Sequence, residues 1–190
     1  MFAAAARVAR AVEVPVTVDA EAGYGMEPAE LVAALRSAGA AGCNLEDTDH
    51  ATESLRDPDR HAEWLQAVRQ AATADGYPLV INARVDVFLG PYLAGAGPET
   101  QGELVPEAVR RANAYLEAGA DCVFPIILSE RDALRHFTSE VSGLVNVIHG
   151  AHTLPMAELA ELGIARVSWG PYLYWDAQAR FQEQLASLQD

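Results

Sequence analysis

Apolar, β-branched runs alternate with amphipathic stretches along almost the whole chain. Six runs read as strands: Val14–Val18, Gly42–Leu45, Leu79–Ala83, Asp121–Phe124, Leu144–Ile148 and Ala165–Ser168. Helical periodicity surrounds them, over Phe2–Val12, Pro28–Ala38, Asp59–Ala74, Val105–Ala118, Glu130–Val141, Met156–Leu162 and Asp176–Leu188. Continuous apolar strands separated by helices define a parallel sheet covered by helices. The junctions agree: Gly39, Gly119 and Gly163 each stand where a helix ends and a strand begins, the usual place for a helix-terminating glycine. One long segment, Gly90–Glu103, holds four glycines and two prolines, as expected of a lid or a mobile insert.

Two architectures fit this alternation, an open doubly wound sheet and a (β/α)8 barrel. No GxGxxG or GxxxxGK[ST] stretch occurs, which weighs against the nucleotide-binding form of the open sheet. Polar residues at the strand ends favour the barrel, whose sites lie on that rim. The reading is therefore a single TIM-barrel-type domain over residues 1–190. Only about six βα units are visible and the chain starts inside a helix, whereas a whole barrel needs about 250 residues. The first two units are expected to be missing.

Three strands end in polar groups of matching parity. The first yields Thr17, Asp19 and Glu21; the second, Asn44 and Glu46; the third, Asn82, Arg84 and Asp86. Side chains two apart on a strand share a face. With those faces turned inward, Asp19, Glu21, Glu46 and Arg84 meet on one rim. Three acids repel one another unless a cation offsets them. All-oxygen donors suit Mg²⁺ better than Zn²⁺, with Mn²⁺ a second option. Arg84 offers a planar fork to a carboxylate or phosphoryl group. Other roles remain open. Asp19 and Glu21 are also suited to capping the next helix. Glu46 and Asp47 are also readable as surface acids, and Arg84 as a structural partner of Asp86 or Asp47. His50 is a candidate proton donor or simply a solvated loop residue, and His149 and His152 stand in the same position at another strand end.

Composition narrows the partners. Formal net charge is −14, and all 13 cationic Lys or Arg residues are arginine. With no basic stripe, nucleic acid and anionic membrane are poor partners, and without lysine no Schiff-base chemistry is available. Cys43 and Cys122 sit in apolar runs and read as core thiols of a cytoplasmic protein. The aromatic group Trp169, Tyr172, Tyr174 and Trp175 reads as a subunit interface.

Four stretches resemble the isocitrate lyase/phosphoenolpyruvate mutase superfamily: Val16–Gly25, Gly42–Asp47, Asn82–Asp86 and Tyr115–Asp121. The resemblance runs in order from about Phe2 to about Leu173. It implies a Mg²⁺-dependent barrel cleaving or rearranging a C–C or P–C bond of a small 2-oxo acid, phosphonate or related carboxylate through a metal-stabilised enolate. It also implies a homo-oligomer, dimer or tetramer. Asp19 would bind the metal directly, Glu21 and Glu46 would hold it through water, and Arg84 would grip the substrate, with Asn44 and Asn82 beside it. Three departures stand out. The family's lyases carry a Lys-Lys-Cys-Gly-His-type loop with a catalytic cysteine; here the segment is Thr48-Asp49-His50-Ala51-Thr52-Glu53. Glu21 stands where an aspartate is usual, and the family's first two βα units have no counterpart. Cleavage of isocitrate or methylisocitrate by the usual route is not expected. The competing expectation is an inactive barrel remnant held together by oligomerisation.

Overall fold

The structure, a computed structural model, describes residues 1–150 and 153–188. Its centre is a six-stranded, all-parallel sheet in the order β1 (Thr17–Asp19), β2 (Gly42–Glu46), β5 (Val80–Val85), β6 (Cys122–Pro125), β7 (Leu144–Ile148) and β8 (Arg166–Ser168). A two-stranded antiparallel hairpin, β3 (Thr48–Asp49) with β4 (Ser54–Leu55), stands at the end of β2. The α-helices are α1 (Phe2–Ala11), α2 (Pro28–Ser37), α3 (Pro58–Ala74), α4 (Leu89–Leu93), α5 (Val105–Glu117), α6 (Arg131–Glu140), α7 (Met156–Glu161) and α8 (Tyr172–Ser187). Among the described residues, no helix is long and apolar enough to cross a membrane.

Strand parity divides the sheet into two chemistries. On one face Cys43, Leu45, Ile81, Ala83, Val85, Val123, Val145 and Val147 join the core, packed with Leu65 and Val68 of α3 and Ala108 and Ala112 of α5. Each fully buried aliphatic side chain contributes about 1.5–3 kcal/mol. The other face is polar. Asn82 Nδ2 donates to Asn44 Oδ1 at 2.7 Å, and Asn146 Nδ2 to Ser168 Oγ at 3.0 Å. Arg166 of β8 reaches Thr17 of β1 at 3.3 Å, so the two outer strands approach each other around this face. The sheet is curled, with the polar face inside.

The helices follow local rules. Asp57 caps α3, accepting from the amides of Asp59 (3.1 Å) and Arg60 (3.0 Å), with Pro58 in the first turn. Its buried stripe, His61, Leu65, Val68 and Ala72, keeps helical spacing. Gly39 and Gly119 take φ of 73° and 101° just after α2 and α5, as the left-handed helix stop requires.

Three local expectations need correction, and one element was not foreseen. The run Val14–Val18 forms a strand only over Thr17–Asp19, because Pro15 has no N–H to donate and Val14 lies exposed. The strand expected at Leu79–Ala83 continues to Val85, which carries Arg84 into the sheet. Gly90–Glu103 is not irregular: it holds most of α4 and a 3₁₀ segment over Pro98–Leu104. The hairpin Thr48–Leu55 was not anticipated, because two-residue strands leave no periodicity to detect.

Candidate active site

The C-terminal ends of β1, β2 and β5 carry the acids and the arginine. Register places Asp19 beside Asn44, Asn44 beside Asn82, and Glu46 beside Arg84, all on the inner face. Glu46 is buried. Its Oε2 lies 2.6 Å from Arg84 Nη2 and its Oε1 lies 2.7 Å from His50 Nε2. Arg84 also grips Asp86, through Nε at 2.6 Å and Nη2 at 2.9 Å. Both bonds leave the guanidinium's Nη1 without a hydrogen bond among the described residues. Thr48 closes the far side, donating its hydroxyl to Asp86 Oδ2 at 2.5 Å and tying the hairpin to the end of β5.

Asp19 and Glu21 do not leave one strand side by side as expected. The strand stops at Asp19, and Glu21 turns back in the left-handed region with φ of 47°. The turn is nevertheless locked to β2, because the Glu46 amide donates to the Glu21 carbonyl at 3.0 Å. The Glu21 carboxylate lies 3.9 Å from His50, on the same side as Glu46. Gly23 completes the turn with φ of 84°; a β-carbon there would strike the Trp64 ring at 2.6 Å. Asp19 is exposed, accepts the Glu21 amide at 3.2 Å, and pairs with no cation among the described residues.

The charges interact strongly. Burial pushes the Glu46 carboxyl up; Arg84 opposes this, and Asp86 and Asp19 add to it. Burial pulls the Arg84 guanidinium down, but its bonds and attraction to Asp86, with Glu46 and Asp19 behind, win and hold it up. Tyr24, whose hydroxyl donates to the Asp19 carbonyl at 3.3 Å, is pushed up to about 12 by burial and by Glu21 and Asp19. One arginine and one histidine face four carboxylates. That surplus is what a hard divalent cation would offset. The donors are all oxygen and Asp19 stands unpaired, so the residue set fits such an ion. The fit is not preassembled: among the described residues no three acid, histidine or cysteine side chains gather at ligand distance. With both Glu46 oxygens already engaged, the arrangement suits one direct ligand plus water-mediated contacts, the coordination Mg²⁺ favours.

The remaining expectations sort by position. Asn44 and Asn82 lie one layer deeper than Glu46 and Arg84, bonded to each other, with Asn82 Oδ1 buried and without a partner among the described residues. His149 stacks on Trp169, ring centroids 4.1 Å apart, and pairs with no acid among the described residues. His152 lies outside the described residues. Asp47 belongs to no rim. It faces the opposite side of the sheet, buried, and accepts from Tyr115 Oη (2.6 Å), Arg111 Nη1 (3.0 Å) and the Asp86 amide (2.8 Å). It thereby sets the backbone from which Asp86 holds Arg84. Of the two structural partners the sequence offered Arg84, Asp86 holds it and Asp47 does not; what sequence reasoning missed is Thr48 as the tether of Asp86.

A parallel α/β sheet with acids and one arginine on the C-terminal rim defines an enzyme-type anion and cation site on a barrel-like scaffold. The phosphoenolpyruvate phosphomutase family model matches residues 1–189, and the chain belongs to that family. It is 31% identical to 2-methylisocitrate lyase of Escherichia coli over 176 residues, 87% of this chain. A crystal structure of a "putative phosphonomutase" from Burkholderia cenocepacia shares 42% identity and a TM-score of 0.90, covering 98% of this chain and 74% of that one. Phosphonopyruvate hydrolase, solved with oxalate and Mg²⁺, gives 26% identity and a TM-score of 0.75 over 99% of this chain and 65% of that chain. The chain spans 55–61% of the length of the first curated relatives it matches, and 55% of the Escherichia coli protein.

Proposed function

We propose that this chain carries the site of a Mg²⁺-dependent lyase or mutase that cleaves or rearranges a C–C or P–C bond of a small 2-oxo acid, phosphonate or related carboxylate. The curled sheet is read as following the (β/α)8 plan. One observation carries this reading: Asp19, Glu21 and Glu46 surround the same mouth as Arg84, with more negative charge than the protein's own cations offset. Asp19 would ligate the ion, and Glu21 and Glu46 would hold its water shell. The cation, when bound, supplies Lewis-acid stabilisation of negative charge on the reacting oxygens. Arg84, fixed by Asp86 and Glu46, presents its remaining Nη1 to the substrate's anionic group, its orientation prepared before binding. The buried Asn82 acceptor and its partner Asn44 form the floor beneath.

The reading extends to a homo-oligomer, because α8 buries none of its own residues and exposes Leu173, Tyr174, Trp175 and Phe181. Isothermal titration of Mg²⁺ or Mn²⁺, then of oxalate onto the loaded protein, tests the site. Oxalate binding that requires the metal is expected. Binding of neither metal nor oxalate would overturn the reading.

A further inference from the structure

Beside Arg84 lies a cavity of about 570 Å³, far more than a three- or four-carbon acid fills. It has two unlike ends. Glu46, His50 and Arg84 form one end, shared with the site above. The other is walled by Leu55 of the hairpin, Val87, and Leu89, Pro91 and Leu93 of α4. Arg84 and His50 are the cavity's cationic side chains, and both bond Glu46.

Apart from Val87, which joins the core, none of the residues of this wall is buried. Helix α4 buries none of its own residues, and Leu93 is 73% exposed and Leu55 37%. The segment is held instead by Phe88, which is buried, and by the Thr48–Asp86 bond that joins the hairpin to the end of β5. Two elements are thus anchored at the carboxylate that holds Arg84, and both turn aliphatic side chains to an open space. Exposed apolar surface of this kind gains free energy when a ligand covers it. A second carboxylate on the substrate would find no cation there and would face Glu53, which also lines the cavity.

We propose that this site takes a 2-oxo acid or phosphonate whose single anionic end sits at Arg84 and whose other end is an apolar chain lying between the hairpin and α4. The inference rests on the proposed function and narrows its substrate class: dicarboxylates are disfavoured and alkyl-substituted monoacids preferred.

The test is titration of the Mg²⁺-loaded protein with oxalate, then with pyruvate, 2-oxobutyrate, 2-oxopentanoate, 2-oxohexanoate and 2-oxoglutarate. A half-open apolar wall should tighten binding by about two- to fourfold per methylene, so 2-oxohexanoate should bind about ten- to sixtyfold tighter than pyruvate. 2-Oxoglutarate should bind more weakly than 2-oxopentanoate. In Leu93→Asp the hexanoate-to-pyruvate ratio should collapse to within about threefold. Gly90→Leu gives a second route: a β-carbon at Gly90 meets no atom within 4 Å and no positive φ strains it, so the new side chain has room in which to stand. It should cut the series short, with the longer acids losing affinity first. Oxalate binding with a flat or falling chain-length series would overturn this inference and leave the proposed function standing. A rising series that survives Leu93→Asp would overturn the placement of the chain. Absence of oxalate binding together with every 2-oxo acid would overturn both.

Discussion

Glu46 and Asp47 are consecutive acids at one strand end, yet they serve opposite sides of the sheet. Glu46 turns inward to Arg84 and His50, where its oxygens face the open mouth. Asp47 turns outward under α5, and every close partner is protein: Tyr115, Arg111 and the Asp86 amide. Strand parity alone separates the two. Asp47 is held in place by an arginine, a tyrosine and a backbone amide that match its charge and lone pairs, whereas Asp19, Glu21 and Glu46 crowd together despite their repulsion. The contrast teaches that charge and burial do not mark a site by themselves. Both Glu46 and Asp47 are buried and pushed up by that burial. What distinguishes the inner group is an excess of charge that protein partners leave unbalanced.

The sharpest way to break this comparison is to remove the outer acid. Asp47→Ala leaves Arg111 buried without its main counter-charge and Tyr115 without its acceptor. Removing one partner of a buried pair costs about 3–5 kcal/mol, which in a chain of this size is a melting-temperature drop of about 10 °C. Urea denaturation would measure it. A loss under about 1 kcal/mol would mean that Asp47 is not the structural member of the pair.

Much of the inner group was legible beforehand because β2 and β5 are long enough for alternation to show. Asn82, Arg84 and Asp86 could be placed on one face from their spacing, and Glu46 beside Arg84 followed from pairing two such strands. The helix-ending glycines were legible for a local reason, a backbone conformation that few other residues tolerate. The outer network was not legible. Asp47 meets Arg111 and Tyr115 across separations of 64 and 68 residues, and nothing in either segment announces the other. Nor was the Glu21 turn, since a left-handed glutamate leaves no compositional trace and is held there by tertiary hydrogen bonds.

The outer side also holds His61, which sharpens the comparison through pH. It is buried between Trp64 and Tyr115, both ring nitrogens lack a partner among the described residues, and burial, helped by Arg56 and Arg111, pulls its pKa down to about 3. The unfolded chain takes up a proton at this histidine below about pH 6.5 while the folded chain does not. Stability therefore falls as pH drops from 6.5 toward 3, by about 2 kcal/mol at pH 5. Glu46 and Asp47, raised by burial, shift the balance the other way. The comparison that isolates the histidine is His61→Phe, whose stability should fall less between pH 7 and pH 5 than that of the unaltered protein. Equal pH dependence in the two proteins would show that His61 is protonated, or solvated, in the fold.

The smallest expected change in stability belongs to the acid proposed to matter most for chemistry. Asp19 is exposed and has no cation partner among the described residues, and it adds repulsion to Glu46. Asp19→Ala should alter the unfolding free energy by no more than about 0.5 kcal/mol, with relief of repulsion favouring a slight gain. Its effect should appear elsewhere. A ligand that binds only the folded state raises the melting temperature by an amount that grows with the logarithm of its concentration above Kd, so Mg²⁺ with oxalate should raise that of the unaltered protein and leave that of Asp19→Ala where it was. The two acids would then be opposites by measurement. Losing Asp47 destabilises the fold, and losing Asp19 silences the site while leaving the fold intact. An Asp19→Ala protein that keeps the full Mg²⁺ and oxalate shift would remove Asp19 from the site, and the imbalance of charge at this rim would need another explanation.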